Sequence, residues 1–127
     1  MSIFKVNLIA VNPKDEYRCT PSVEALVDKG SELTWLPCEV LIHIGVHPRR
    51  ERTFLTATKQ LVTRTVGYAI LRTEGYETAY EVVFAQPGDM TLLGVRTIEG
   101  FGVMVDNVAH RFVAQTTLAG VAGLSCP

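Results

Sequence analysis

The sequence predicts an all-β domain, a small closed β-barrel with one main short helix, and three observations lead to it. Hydrophobic residues recur mostly with a period of two, as in Phe4, Val6, Leu8 and Ala10, whose neighbours Lys5 and Asn7 are polar. The apolar segments are short and separated by turn signals such as Glu74-Gly75 and Gln86-Pro87-Gly88-Asp89. One stretch alone, Leu36 to Ile44, carries a convincing helical spacing. About nine short strands in one domain favour a barrel, which removes exposed sheet edges.

Taken in order, the alternation through Ala10 makes a first strand. Asn12 to Pro21 is polar and holds two prolines, so a loop is expected there. Val23, Ala25 and Val27 alternate with Ser22 and Glu24, giving a second strand that runs into Asp28. Gly30 then permits a sharp turn, because glycine accepts backbone angles that other residues resist. Glu32 to Leu36 reads as a short strand. Pro37 suits a first helical turn, Leu36, Val40, Leu41 and Ile44 share one helix face, and Gly45 and Pro48 end it.

Strands return at Arg52. Thr53 to Thr58 and Leu61 to Thr65 flank a hairpin tip at Lys59-Gln60, and Val66 to Thr73 continues extended. Tyr76 to Ala85 is rich in β-branched and aromatic residues. Met90 to Leu93 is a short buried strand that stops at Gly94, and a single helical turn follows at Val95 to Glu99. Gly102 to Asp106 and Arg111 to Gln115 form a last hairpin around Asn107. The small, apolar tail Leu118 to Pro127 is either a frayed end or a strand that pairs with another subunit.

Composition narrows the function. The 127 residues fit one domain spanning 1–127, with a core large enough to fold without disulfides or metal. A net charge of -1, from 12 basic and 13 acidic residues, gives no electrostatic footprint for nucleic acid or an anionic membrane. Cys19, Cys38 and Cys126 are odd in number and irregularly spaced, which suits a reducing compartment. The start has no secretory layout and no apolar run reaches membrane-spanning length, so a cytoplasmic protein is expected.

Two segments carry chemistry. One is a strand followed by Asp28, Lys29, Gly30 and Ser31; the other is the buried Leu92-Leu93 followed by Gly94. Together they resemble the retropepsin-like aspartic proteases, the single-domain retroviral type also found in bacteria. In that family a hydrophobic strand delivers an Asp-Thr/Ser-Gly triplet, a later apolar pair with glycine packs beneath it, and a flap hairpin lies between. The resemblance runs from about Val23 to Phe112. It takes in the hairpin at Thr53 to Thr65 and the segment Ile98 to Asp106, which is similar to the family's short helix and closing strand.

The resemblance implies an aspartic endopeptidase in which Asp28 is catalytic. Lys29, Gly30, Ser31, Leu92, Leu93 and Gly94 would support it, and Ala57, Thr58, Lys59 and Gln60 would form the flap tip. Two carboxylates held close together share a proton, so one serves as base and the other as acid around a single water. With one such Asp per chain, the site implies a homodimer, a peptide or protein substrate, and no cofactor or metal. Lys29 departs from the pattern, since the family has a hydroxyl residue there. An ammonium beside the dyad favours ionising both carboxylates, and two buried lysines near the axis would be costly. The alternative reading is therefore a pseudoprotease that dimerises or binds peptide, and a third is an unrelated small barrel with a coincidental Asp-Lys-Gly.

Other residues have simpler readings. Cys38, His43 and His47 could be imagined around zinc, but the helix ends between the histidines and a fourth ligand is lacking. Asp106 reads as a hairpin-turn residue, and Trp35 as core or as a wall of a substrate groove.

Overall fold

The computed structural model describes residues 4–120. Two short helices and ten strands make up this part of the chain, so it is mostly β, as the dominant period of two requires. None of its helices is long and apolar enough to cross a membrane. Cys126 and most of the Leu118 to Pro127 tail lie outside the described residues.

Strand β1 (Lys5–Asn12) buries Val6, Leu8 and Ala10 and exposes Lys5 and Asn7, the alternation its sequence carries. The next segment differs from expectation. Within Asn12 to Pro21, expected to be a loop, Asp15–Cys19 forms strand β2, which pairs antiparallel with β1. All five residues of β2 are exposed, so it has no apolar face to announce it. It exists through main-chain bonding, extended by Thr20 N–H to Ala10 O at 2.9 Å and Ala10 N–H to Thr20 Oγ1 at 3.0 Å.

Strand β3 (Val23–Val27) ends one residue before Asp28. Strand β4 (Thr34–Pro37) starts two residues later than Glu32, the expected start, because Glu32 and Leu33 belong to the turn. Helix α1 (Cys38–His43) follows, with Pro37 as its cap residue and Gly45 leaving at φ +84°. Strands β5 (Arg50–Leu55), β6 (Leu61–Thr73) and β7 (Tyr76–Ala85) form a meander, turned at Glu74-Gly75 as expected. Strand β8 is only Leu92–Leu93, shorter than the expected Met90 to Leu93. Helix α2 (Val95–Gly100) has six residues, the same as α1, so the fold has two equal short helices where one main helix was expected. Strands β9 (Val103–Asp106) and β10 (Arg111–Ala114) complete the chain.

The first eight strands make one sheet in the order β2-β1-β3-β8-β4-β7-β6-β5, and β6 also pairs with β1 through Ile9↔Arg72 to Val11↔Ile70. Strand pairings thus run from β1 through β3, β8, β4, β7 and β6 back to β1. The main core gathers Leu8, Leu36, Leu41, Leu71, Phe84 and Leu93, all fully buried. Each such side chain contributes about 1.5–3 kcal/mol relative to exposure. A second, smaller core of Leu33, Val66 and Val83 is flanked by Trp35 and Phe54, whose rings lie 5.1 Å apart. Strands β9 and β10 form their own two-stranded sheet. It docks through Phe112, whose ring lies 5.5 Å from Phe4 and 6.0 Å from Tyr76.

One ion pair anchors the turn between β7 and β8. Arg64 Nε and Nη2 donate to the two carboxylate oxygens of Asp89 at 2.7 and 2.9 Å, and Gln86 N–H donates to the same carboxylate. These contacts, Arg64 foremost, hold the Asp89 pKa below its ordinary value. A depressed carboxylate pKa contributes stability that is present above the unfolded pKa and lost as pH falls through the folded one. Asp89→Asn is therefore expected to cost about 1–2 kcal/mol at neutral pH. The gap from wild type should close as the pH is lowered below about 4. Urea melts at pH 7 and pH 3 check this: a gap that did not narrow in acid would reject the assignment.

Candidate active site

The candidate site is built where β3 and β8 lie parallel, with Leu26 opposite Leu92 and Val27 opposite Leu93. Parallel neighbours end on the same side of a sheet, so Asp28 and Gly94 emerge together. Three main-chain bonds fix the end of β3: Leu26 N–H to Thr91 O at 3.0 Å, Val27 N–H to Phe4 O at 2.8 Å, and Asp28 N–H to Leu93 O at 3.0 Å. Asp28 is half-buried. Its Oδ1 accepts the Gly30 N–H at 2.8 Å, and its carbonyl accepts the Ser31 N–H at 3.2 Å. Ser31 Oγ donates to Leu33 O at 2.7 Å, which closes the turn.

Gly30 brings its N–H to the carboxylate but does not use the backbone freedom expected of it. It is not among the residues with positive φ. A side chain there would instead crowd the carboxylate, since a Cβ would lie 3.1 Å from Asp28 Oδ1. Lys29, at the centre of the triplet, is exposed and makes no ion pair among the described residues.

Gly94 is the tighter position. A Cβ on it would sit 2.3 Å from Leu33 O and 2.4 Å from Leu33 C, closer than any side chain can approach backbone. Its N–H donates to Thr34 Oγ1 at 3.0 Å, and that hydroxyl lies 2.7 Å from Thr97 Oγ1. Both threonines are fully buried. Ser31 O and Glu32 O accept N–H bonds from Val95 and Arg96 at 2.8 and 3.0 Å. The turn after Asp28 is thereby stitched to the start of α2. Thr34 and Thr97 are site residues that sequence reasoning missed. A threonine in a β-rich chain is an ordinary strand former, so nothing marks these two as buried polar links.

The residues expected at the flap, Ala57 to Gln60, form the exposed tip of the β5–β6 hairpin. The tip is closed by Thr56 N–H to Gln60 O at 2.8 Å and Lys59 N–H to Thr56 O at 2.9 Å, with Lys59 at φ +63°. Thr56, another residue missed in sequence, also accepts Gln60 N–H on Oγ1 at 3.0 Å. These tip residues share no hydrogen bond with the Asp28 turn, whereas Asp28, Gly30, Ser31, Leu93 and Gly94 are brought together.

Cys38 and His43 do not gather with His47 into a metal site. Among the described residues no three His, Cys, Asp or Glu side chains could hold an ion. Cys38 and His43 line a cleft of about 690 Å³ between α1 and the β7–β8 turn. This cleft does not include Asp28; it lies beyond the far end of β4. Asp106 is a turn residue as expected: its Oδ1 accepts N–H bonds from Val108 and Ala109, both at 3.0 Å, which lowers its pKa. Trp35 packs in the second core beside Phe54.

No family model matches the chain, and no curated protein matches it in sequence. Among solved structures, a foamy viral protease-reverse transcriptase in complex with double-stranded DNA aligns over 73% of this chain at 20% identity, with a TM-score of 0.50. The same kind of enzyme with an RNA/DNA hybrid aligns over 74% at 20% identity, with a TM-score of 0.49. The native prototype foamy virus enzyme aligns over 77% at 16% identity, with a TM-score of 0.46. The first of these likenesses is one of fold alone. This chain spans 14%, 12% and 11% of those three chains.

Two substitutions test the packing beneath Asp28. Gly94→Ala is expected to destabilise the protein by about 2–4 kcal/mol, because the opposing atoms are backbone and cannot rotate away. Thr34→Val should cost about 1–3 kcal/mol by leaving the Gly94 N–H without its acceptor. Chemical denaturation measures both, and a Gly94→Ala protein as stable as wild type would contradict the close approach.

Proposed function

We propose that this chain is one half of a retropepsin-like aspartic endopeptidase, completed by a second copy across a two-fold axis. The observation that carries the reading is the Asp28 carboxylate. It stands half-buried at a strand end, beside Leu93 and Gly94, with Gly30 N–H as its hydrogen-bond partner. Support comes from the ring of strand pairings, which suits a small closed barrel, and from the fold shared with a chain that contains a retroviral protease. We take the part of that chain matched here to be its protease. The proposed setting is cytoplasmic.

In the dimer the two Asp28 carboxylates would approach each other and share one proton, since two close carboxylates cannot easily both ionise. The ionised partner would take a proton from a water held between them as that water attacks the peptide carbonyl. The protonated partner would donate to the carbonyl oxygen, and the leaving amine would collect its proton as the intermediate collapses. Gly30 N–H orients Asp28 Oδ1 within each half. Gly94 and Thr34 hold the strand end beneath it. The hairpin tip at Ala57 to Gln60 would close over the peptide and exclude bulk water.

Lys29 favours a second reading, a pseudoprotease that uses the same half-site to dimerise or bind peptide. An ammonium at the axis would draw both carboxylates into the ionised form and remove the shared proton. Lys29 is exposed in the single chain, and only if it turns away from the axis in the dimer does the dyad keep its proton.

Asp28→Asn is expected to lower cleavage of an unstructured protein substrate by roughly 10²–10⁴-fold while sedimentation still reports a dimer. Persistent cleavage in that variant would sink the mechanism. Lys29→Thr separates the two readings. Acid-optimal proteolysis gained by this variant and lacking in the wild-type chain establishes the pseudoprotease, whereas proteolysis already present in the wild type, blocked by a transition-state mimic, establishes the enzyme.

A further inference from the structure

Strand β5 is an edge strand, hydrogen-bonded on one side to β6 and on the other to no strand among the described residues. An edge strand leading to an exposed hairpin tip has little to fix its direction. The side chains of Arg50, Arg52 and Phe54 nevertheless share one face of β5, and that face is engaged by three other parts of the chain. Phe54 packs on Trp35 of β4. Arg50 donates to Glu81 of β7 through Nε and Nη2, at 2.7–3.0 Å. Arg52 sits between two carboxylates, with Nη2 at 2.8 Å from Glu32 and Nη1 at 3.4 Å from Glu81, and its guanidinium lies 5.5 Å from the Phe54 ring centre.

Glu32 is the informative partner. Its main-chain carbonyl accepts the Arg96 N–H at the start of α2, and it lies four residues after Asp28 in the same turn. Arg96 also approaches its carboxylate, at 3.9 Å. The Arg52–Glu32 pair is thus a direct side-chain link between the hairpin and the turn that carries Asp28. The Arg52 side chain is 28% exposed and that of Glu32 47%, so the pair is partly solvated and its strength lies in geometry shared with Glu81 and Phe54.

We infer that Arg52 is a positioning residue: by bridging Glu32 and Glu81 it fixes the base of the β5–β6 hairpin over the Asp28 turn. This rests on the proposed function only in calling the hairpin a flap. The mechanical link holds whether or not the chain cleaves peptides. Removing Arg52 leaves Glu81 paired with Arg50, so the effect falls on the contact with Glu32.

The single tryptophan, Trp35, reports on this link because it packs against Phe54 at the hairpin base. The experiment compares wild type with Glu32→Gln, Arg52→Met and the double variant, by acrylamide quenching of Trp35 and by amide hydrogen exchange. Glu32→Gln is isosteric at a half-exposed site, and Arg52→Met keeps an apolar stem over Phe54, so both retain the fold. Each single variant is expected to raise the quenching constant about twofold and to speed exchange in β5 and the first half of β6 about three- to fivefold. Exchange in β1 and β3 should not change. The double variant should do no more than the larger single one, and Arg52→Lys should recover part of the protection.

Unchanged quenching and exchange in Glu32→Gln, or a double variant whose effect is the product of the two singles, overturns the inference. Equal acceleration across β1 and β3 overturns it too, since that marks a general loss of stability. In an active dimer the single variants should raise KM and leave kcat within about twofold. The quenching and exchange do not depend on catalysis, so an inactive wild-type chain would remove the proposed activity and leave the clamp to these readouts.

Discussion

The absence of space at Gly94 is the constraint on which the rest of the structure depends. Leu33 carbonyl and carbonyl carbon lie where a Cβ on Gly94 would have to be. Because the two backbones touch, the turn after Asp28 can lie flat on the start of α2, and Ser31 and Glu32 can accept the N–H groups of Val95 and Arg96. The same contact brings the Gly94 N–H to Thr34 Oγ1 and seals it beneath the strand ends. A buried donor left without a partner would cost about 1–3 kcal/mol, so the threonine is part of the packing as much as the glycine is.

From that contact the site follows by geometry. Strands β3 and β8 run parallel for two residue pairs, which places Asp28 beside Leu93 and gives its N–H to the Leu93 carbonyl. The carboxylate is then oriented by Gly30 and otherwise left half-open. Under the proposed function this carboxylate is one half of a site that a second copy of the chain would complete. The two cores divide the work: the larger fixes β1, β3, β4, β7 and β8, and the smaller lies under the hairpin, walled by Arg50, Arg52 and Glu81.

Much of the fold was legible because its strands bury one face. The alternation in Phe4 to Ala10 and in Val23 to Val27, and the turn residues at Glu74-Gly75 and Gln86 to Asp89, have direct physical causes in side-chain period and backbone freedom. Strand β2 was not legible, because all its residues face water and its pairing is made by main-chain groups that every sequence possesses. Helix α2 looked like a single turn for a related reason. It is short, and its buried residues, Thr97 and Ile98, are too few to show a period. Within the site, Asp28 and the Leu92-Leu93-Gly94 run stood out by residue type and order. Thr34, Thr97 and the Arg52–Glu32 pair did not, because each joins positions far apart in the chain or draws its meaning from burial, and Thr56 did not because it is one threonine among several in that hairpin.

By itself, then, the sequence determined which segments are extended, where the chain turns, and that Asp28 stands at a strand end answered by a distant glycine. Those are local properties, set by the period of apolar side chains and by what glycine and proline permit. Tertiary structure alone decided that Gly30 matters for closeness to the carboxylate and not for its backbone angle. It decided that Gly94 rests on Leu33, that buried threonines satisfy the groups so enclosed, and that Arg52 ties the hairpin to the Asp28 turn. Apart from the Gly30 contact, which is local, each of these depends on which atoms meet across distant stretches of chain, and that is fixed only when the whole sheet has formed.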